Sequence, residues 1–344
     1  MKQQACRAFG CDKLFLFDEK ANSFFGYNNH RSDYRHSSGT AQLCIKKSNM
    51  KIILTGSLGH IGKPLTEMLV QKGHAVTVIS SKPEKQQDIE VLGATAAIGS
   101  LDEVGFLADT FAGADAVFGM IPPNYAAPDQ LQYYTSVGNS YAQAIVQSGV
   151  KRFIHLSSYG ADLDKGTGII LGSNRVESIL NAIPGLNITH MRPSYFHYNL
   201  YSFLDMIKHT GVMAANYGGN DIIILVSPMD IAAAIADELE TPVNGMKVRY
   251  VVSEELTGTE IAGVLGEAIG KPDLKWEIIS DEQMLNNLLS NGMPETLAGK
   301  MVEMFASIHS GALSEDYFRN KPAEMGKVKL KDFAREFAIE FEKN

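Results

Sequence analysis

Three glycines, Gly56, Gly59 and Gly62, stand three residues apart in the segment Gly56-Ser57-Leu58-Gly59-His60-Ile61-Gly62. Upstream lies the short β-branched run 51–55; downstream, Ile61, Leu65, Met68 and Leu69 recur on one helix face until Gly73. A strand that turns through glycines into a helix presents main-chain N–H groups and the positive end of the helix dipole to whatever lies above it. The chemistry of that arrangement is diphosphate recognition. The first glycine permits a tight exit, the second lets phosphates reach the backbone, and the third lets helix and sheet pack closely. A lone triplet is weak evidence, but one framed by strand and helix is much more specific.

After the next apolar run, Ala75 to Ile79, an NAD-binding chain would carry an acid for the ribose 2′-hydroxyl. This chain has Ser80, Ser81 and Lys82. Two hydroxyls and an ammonium suit a 2′-phosphate, so NADP(H) is expected and NAD(H) is disfavoured. The structural alternative is a solvated loop in which Lys82 touches nothing. Two further segments sit where strands should end: Gly119-Met120-Ile121-Pro122-Pro123 and Ser157-Ser158-Tyr159-Gly160. Ile121, Pro122 and Ser157 are therefore expected beside the cofactor. Prolines and serines in these places can also be plain strand stops and caps.

Placing those residues requires a regular alternation, and the sequence supplies it. Strands are expected over 51–55, 75–79, 95–98, 116–118 and 153–156, with helices over 60–72, 102–110 and 128–148. Such alternation predicts an α/β fold, a Rossmann-type doubly wound parallel sheet whose ligands bind at the carboxyl ends of the strands. Further on, 222–226, 247–252 and 274–279 read as strands. Helices follow over 229–239, 257 or 259 to 269, 281–289, 294–308 and 331–341, and residues 310–330 read as loop. The domain reading is a dinucleotide-binding unit over 50–200, with a strand contribution from about 221–252, and a smaller, mostly helical covering unit over 201–344.

Composition sets outer limits. The 344 residues carry 31 Lys/Arg against 39 Asp/Glu, a net charge of −8, so the general basic excess that nucleic-acid binding requires is missing. No apolar run approaches the roughly 18 residues that would span a bilayer. Residues 1–49 hold all three cysteines, Cys6, Cys11 and Cys44, with eight basic and four acidic residues, and show no sustained period. They read as a disordered extension, or as sequence upstream of a true start at Met50. The spacing of Cys6, Cys11, His30 and His36 matches no standard zinc site, so no metal is expected.

Taken together, these residues resemble the NmrA-like branch of the atypical short-chain dehydrogenase/reductases. The likeness runs from Met50 nearly to the C-terminus. It includes the glycine turn, Gly99-Ser100-Leu101-Asp102, Ala114-Asp115-Ala116-Val117, Gly149-Val150-Lys151-Arg152, Leu156-Ser157-Ser158, Glu177, and Met191-Arg192-Pro193 with Phe196 and Asn199. Later matches are Asp230-Ile231-Ala232, Leu256-Thr257, Gly270-Lys271-Pro272 and Gly292-Met293-Pro294. The resemblance implies a Rossmann-type domain covered by a small helical one. It also implies either NADPH-dependent, quinone reductase-like activity or regulation through NADP binding. Two positions depart from the family pattern. Ser100 replaces an expected Asp near the adenine, and Ser173 stands four residues before Glu177, where relatives often have Lys or His.

Standard members of the superfamily use a Tyr-x-x-x-Lys pair, in which the lysine lowers the tyrosine pKa for proton transfer. No such pair stands in the stretch after Ser158, where the superfamily carries it. Alcohol oxidation and sugar epimerisation are disfavoured accordingly, whereas direct hydride transfer from NADPH to a small electrophile asks mainly for positioning. The candidate polar groups around nicotinamide and acceptor are Ser157, Tyr159, Ser173 and Asn174. The aromatic stretch Tyr195, Phe196, His197, Tyr198 and Tyr201 reads as a slot for a planar acceptor or as a packed helix start. The expectation is a cytoplasmic oxidoreductase with a small-molecule acceptor. Open alternatives are a homodimer and an NADP(H)-sensing protein that binds a regulatory partner.

Overall fold

The computed structural model describes residues 49–124 and 126–343. The readings of residues 1–48 as a disordered or untranslated extension, and the rejected zinc set on Cys6, Cys11, His30 and His36, lie outside the described residues.

Seven strands form one sheet in the order β10-β6-β5-β4-β1-β2-β3. They are β1 (Lys51–Leu54), β2 (Ala75–Ser80), β3 (Thr95–Ile98), β4 (Ala116–Gly119), β5 (Arg152–Leu156), β6 (Asn187–Pro193) and β10 (Met246–Val251). Every pairing in it is parallel. Adjacent residues of β1 point to opposite faces, yet Ile52, Ile53 and Leu54 are all fully buried, as a sheet covered on both sides demands. On one face Ile52, Leu54, Val76 and Phe118 pack with helices α1 (Gly62–Gln71) and α7 (Pro228–Glu240) through Leu65, Leu69, Ile231 and Ile235. On the other, Ile53, Val117 and Phe153 pack with α3 (Val104–Phe111), α4 (Gln130–Ser148) and α5 (Leu171–Asn181). A short helix, α2 (Gln86–Val91), precedes β3.

A third core belongs to the covering region. It gathers α6 (Leu204–Thr210), α8 (Gly258–Ala268), α9 (Asp281–Ser290), α10 (Glu295–His309), α11 (Glu315–Arg319) and α12 (Leu330–Lys343). Two small sheets accompany them: β11 (Glu254–Thr257), β9 (Ile222–Val226) and β7 (Tyr195–Phe196) in one, β12 (Trp276–Ile278) with β8 (Met213–Ala215) in the other. Of the strands expected over 221–252, β10 joins the large sheet and β9 the three-stranded one.

The differences from the sequence reading are local and have physical causes. The helix expected from residue 60 begins at Gly62, because residues 56–61 form the turn. Residues 310–330, read as loop, contain the 3-10 turn Ala312–Ser314 and α11, held by side-chain bonds from distant elements described below. Strand β6 carries Thr189, His190 and Arg192 in a fully covered position, so its apolar pattern is interrupted by polar groups that pair internally. Asp230, expected to serve the dipole of α7, also accepts from Ser253 Oγ and from the main chain of Lys327 and Val328, which fastens the C-terminal segment to the sheet.

The strand order reverses between β1 and β4. Crevices for ligands open at such switch points, outside the carboxyl ends of the strands. The glycine turn leaves β1 there, and residues 120–123 leave β4.

Candidate active site

The glycine turn begins with two residues in the left-handed region, Gly56 (φ +92°) and Ser57 (φ +57°). Ser57 is the only non-glycine residue in that region among those described, and the conformation costs about 1–2 kcal/mol. It is held by Ser57 N–H donating to Ile79 O at 3.1 Å and Ser57 Oγ donating to Ser80 Oγ at 3.1 Å. Behind it, Thr55 Oγ1 accepts from Met120 N–H at 2.9 Å and meets the Tyr141 hydroxyl at 2.9 Å.

The three glycines have different reasons to be there. A Cβ on Gly62 would lie 2.1 Å from Ser57 O, and one on Gly56 would lie 2.4 Å from Met120 Sδ. Both are demanded by the chain's own packing. A Cβ on Gly59 would meet nothing nearer than Gly56 O at 3.7 Å. Above it, the main-chain N–H groups of Leu58, Gly59, His60 and Ile61 have no hydrogen-bond partner among the described residues. Helix α1 has no side-chain cap and no acid in its first turn. Four open donors, an uncapped helix start and space beside Gly59 fit a diphosphate.

At the adenine-ribose end the expected trio divides. Ser80 is buried and braces the turn, accepting from Lys82 N–H at 3.2 Å as well as from Ser57. Ser81 and Lys82 are exposed, and the Lys82 ammonium forms no ion pair among the described residues. These two residues fit a 2′-phosphate; Ser80 positions them. Ser100, at the family's Asp position, accepts from Asp102 N–H at 3.3 Å in a local turn. Ile121 is buried, and Pro122 is half-buried with its carbonyl accepting from the Tyr133 hydroxyl at 2.9 Å.

Beyond β5 the polar candidates are engaged with each other. Ser157 Oγ donates to Glu177 Oε1 at 2.6 Å, and Arg192 grips the same carboxylate with Nε at 2.9 Å and Nη2 at 2.7 Å. Arg192 Nη1 continues to the Tyr250 hydroxyl and to Asp316 Oδ2, both at 3.2 Å, and Tyr250 donates to that same oxygen at 2.5 Å. The bidentate pair, with both partners buried, keeps Glu177 an acceptor and the Arg192 guanidinium charged. Asp162, 3.7 Å from Arg192, is pushed above the usual carboxylate range by burial, and nearby Asp316 and Glu177 add to the rise.

Tyr159 is buried, and desolvation raises its hydroxyl above the ordinary tyrosine value, as does the neighbouring Tyr195. No cation lowers it, so it is the opposite of the activated tyrosine of a Tyr-x-x-x-Lys pair. Ser173 is buried in the first turn of α5, and Asn174 Nδ2 donates to Ala161 O at 2.9 Å. The structure thus gathers Ser157 and Glu177 into one network and places Ser173 and Asn174 at the adjacent helix start.

The aromatic stretch also divides. Tyr195, His197 and Tyr201 are buried in the third core, with Tyr195 bonded to the Tyr217 hydroxyl at 2.9 Å and Tyr201 packed on Phe333 and Phe337. Burial lowers the His197 pKa to about 4. Phe196 and Tyr198 are half-buried at the margins of the cores, and Tyr198 stacks on His60 of the glycine turn at 4.7 Å.

A model of the NmrA-like family matches residues 48–334. The chain belongs to the NmrA-like family. Among curated relatives it is 27% identical over 258 residues to an NAD(P)H azoreductase of Xenophilus azovorans, covering 74% of this chain and 86% of that one. Among solved structures it resembles an NADPH-dependent quinone oxidoreductase of Escherichia coli complexed with NADPH. That likeness has a TM-score of 0.70 at 21% identity, over 83% of this chain and 99% of the other. A Citrobacter sp. triphenylmethane reductase complexed with NADP(H) gives the same TM-score, identity and coverage. At this identity the structures show the shared fold.

For this NmrA-like chain, sequence reasoning missed three residues of the network behind Ser157: Arg192, Tyr250 and Asp316. Arg192 and Glu177 had a signal, since both belong to the matching motifs, but nothing in their spacing says that they meet. Asp316 had none, because it reaches Arg192 across 124 residues of chain.

Proposed function

We propose that this NmrA-like protein is an NADPH-dependent oxidoreductase that passes hydride to a small, planar, quinone-like acceptor in the cytoplasm. The observation that carries the proposal is the set of N–H donors at Leu58, Gly59, His60 and Ile61 with no partner among the described residues, around the one glycine of the turn whose vacant side the protein does not fill. Lys82, exposed and without an ion pair among the described residues, supports NADPH over NADH. The azoreductase, quinone oxidoreductase and triphenylmethane reductase relatives support a conjugated acceptor.

Bound NADPH supplies a hydride; reduction of a quinone to the hydroquinone also consumes one proton. The chain's own residues indicate where that proton does not come from. The Ser157 hydrogen is committed to an ionised Glu177, so its oxygen can only accept from a bound group, orienting it rather than protonating it. The Tyr159 hydroxyl, raised by burial, is a poorer acid than an ordinary tyrosine. With neither group placed to act as an acid, we assign the proton to water and to the protein the positioning, which in favourable systems is worth about 7–11 kcal/mol.

The test is NADPH consumption across a panel of quinones, azo dyes and simple carbonyls, alongside equilibrium binding of NADPH and NADH. Turnover with conjugated acceptors and little with aliphatic carbonyls is the expected result. Tight stoichiometric NADPH binding with no turnover on any acceptor would replace the enzyme by a nucleotide-sensing protein with a regulatory partner.

A further inference from the structure

Three rings stack in series beside the glycine turn, and a fourth lies against α5, in an arrangement that the nucleotide site does not require. His60, in the glycine turn, lies face to face with Tyr198, with ring centroids 4.7 Å apart and planes 25° from parallel. Phe196 leans on Tyr198 at 5.1 Å and 36°. Tyr134, near the start of α4, rests on Gly172 of α5, where an added Cβ would come within 2.7 Å of Tyr134 Cγ. Burial raises the Tyr198 phenol above its ordinary value, and Tyr134 raises it further.

These rings come from three stretches of chain, with His60 in the phosphate turn and Tyr134 against the first turn of α5, where Ser173 and Asn174 sit. Unlike Tyr195, His197 and Tyr201, none of them is fully buried: His60 is exposed, and Tyr134, Phe196 and Tyr198 are half-buried. A half-buried ring whose stacking partner is an exposed imidazole can exchange that partner for another planar group of similar area. Exchanging an imidazole for a larger conjugated ring keeps the stacking geometry and enlarges the contact. Gly172 has a part in this, because any side chain there would drive Tyr134 out of its place against α5.

We propose that Tyr198 and Tyr134 are the walls of the acceptor site. A planar conjugated acceptor lies on the face of Tyr198 that His60 now covers, with Tyr134 beside it next to Ser173. The inference rests on the NADPH-dependent reading above and adds the side chains that select the acceptor. It also separates them from the buried aromatics that only build the core.

The experiment uses menadione as the probe, with the full chain and the variants Tyr198→Ala, Tyr198→Phe and Tyr134→Ala. Two quantities are measured: the Kd for NADPH, and menadione binding to the NADP+-saturated protein by calorimetry, which needs no turnover. NADPH binding within about twofold of the wild type serves as the folding control. The expected result is that each alanine variant weakens menadione about three- to tenfold, the loss of one ring contact, while Tyr198→Phe binds nearly as the wild type does. Weakened NADPH with unchanged menadione would assign the rings to the nucleotide and overturn the proposal. So would menadione binding that is unaffected by both alanine variants, or absent from the wild type. Failure of the enzyme reading shows separately, as NADPH binding without turnover across the acceptor panel.

Discussion

The glycine turn and the corner behind Ser157 both lie at the carboxyl edge of the sheet, and they treat their polar groups in opposite ways. At the turn, four successive N–H groups point away from the protein's own acceptors, and a lysine nearby has no counter-ion among the described residues. At the corner, Ser157, Glu177, Arg192, Tyr250 and Asp316 satisfy one another through six contacts of 2.5–3.2 Å. Donors left open by the protein itself leave room for a ligand. Closed networks hold elements in register, here β5, α5, β6, β10 and α11. The lesson is that the serine most suggestive in the sequence works chiefly through the brace it belongs to.

The largest effect expected is at the turn. Gly59→Val should weaken NADPH at least about a hundredfold, because the side chain enters the space the diphosphate needs, with little change in thermal stability. Isothermal titration and a melting curve together check this, and a normal Kd would remove the contrast between the two regions. Gly62→Ala should do the reverse, destabilising the fold because its Cβ meets Ser57 O.

The corner should respond in stability. Glu177→Ala leaves a buried guanidinium and the Ser157 hydroxyl short of their partner, a loss of about 3–5 kcal/mol by urea denaturation. A loss under about 1 kcal/mol would mean that Asp162 and Asp316 already suffice for Arg192. At the adenine-ribose end, Lys82→Glu should weaken NADPH about tenfold or more and leave NADH nearly unchanged. Equal losses for both nucleotides would show that this lysine does not meet the 2′-phosphate.

The smallest effect sharpens the comparison by showing that an unpaired group alone does not mark a ligand site. His197 Nε2 has no hydrogen-bond partner among the described residues, with Glu254 Oε1 4.0 Å away, and it is buried against Phe333. Its pKa, lowered to about 4, lies below its unfolded value, so the unfolded state binds more protons between those limits. Stability should therefore fall as pH drops from 6.5 towards 4, with buried His190, also lowered to about 4, contributing in the same direction. His197→Phe should make that fall shallower, as urea midpoints at pH 7 and pH 5 would reveal. An unchanged pH dependence would show that the buried imidazole does not contribute.

Much of the fold was legible because its signals are local. Residues 95–98 and 222–226 were delimited to the residue by apolar runs between turn formers. Thr257 was correctly one of two candidate caps, and it forms a full capping box with Glu260. Strand β6 and helix α11 were not legible, because their residues are polar by composition and become structure only through partners 15 to 124 positions away. The aromatic stretch after β6 was legible as aromatic but not as two populations. Whether a ring faces the core or the crevice depends on the turn of the chain at residues 195–203, which no period records.

By itself the sequence determined the alternating strands and helices, the glycine turn and the lack of a Tyr-x-x-x-Lys pair in the stretch after Ser158, since each follows from neighbouring residue types and their spacing. Only the tertiary structure decided which of the three glycines leaves room for a ligand, and which way the Ser157 hydrogen points. It also decided which tyrosines reach the crevice. Those properties depend on atoms brought together from opposite ends of the chain, and contact between distant segments is fixed by packing rather than by order along the backbone.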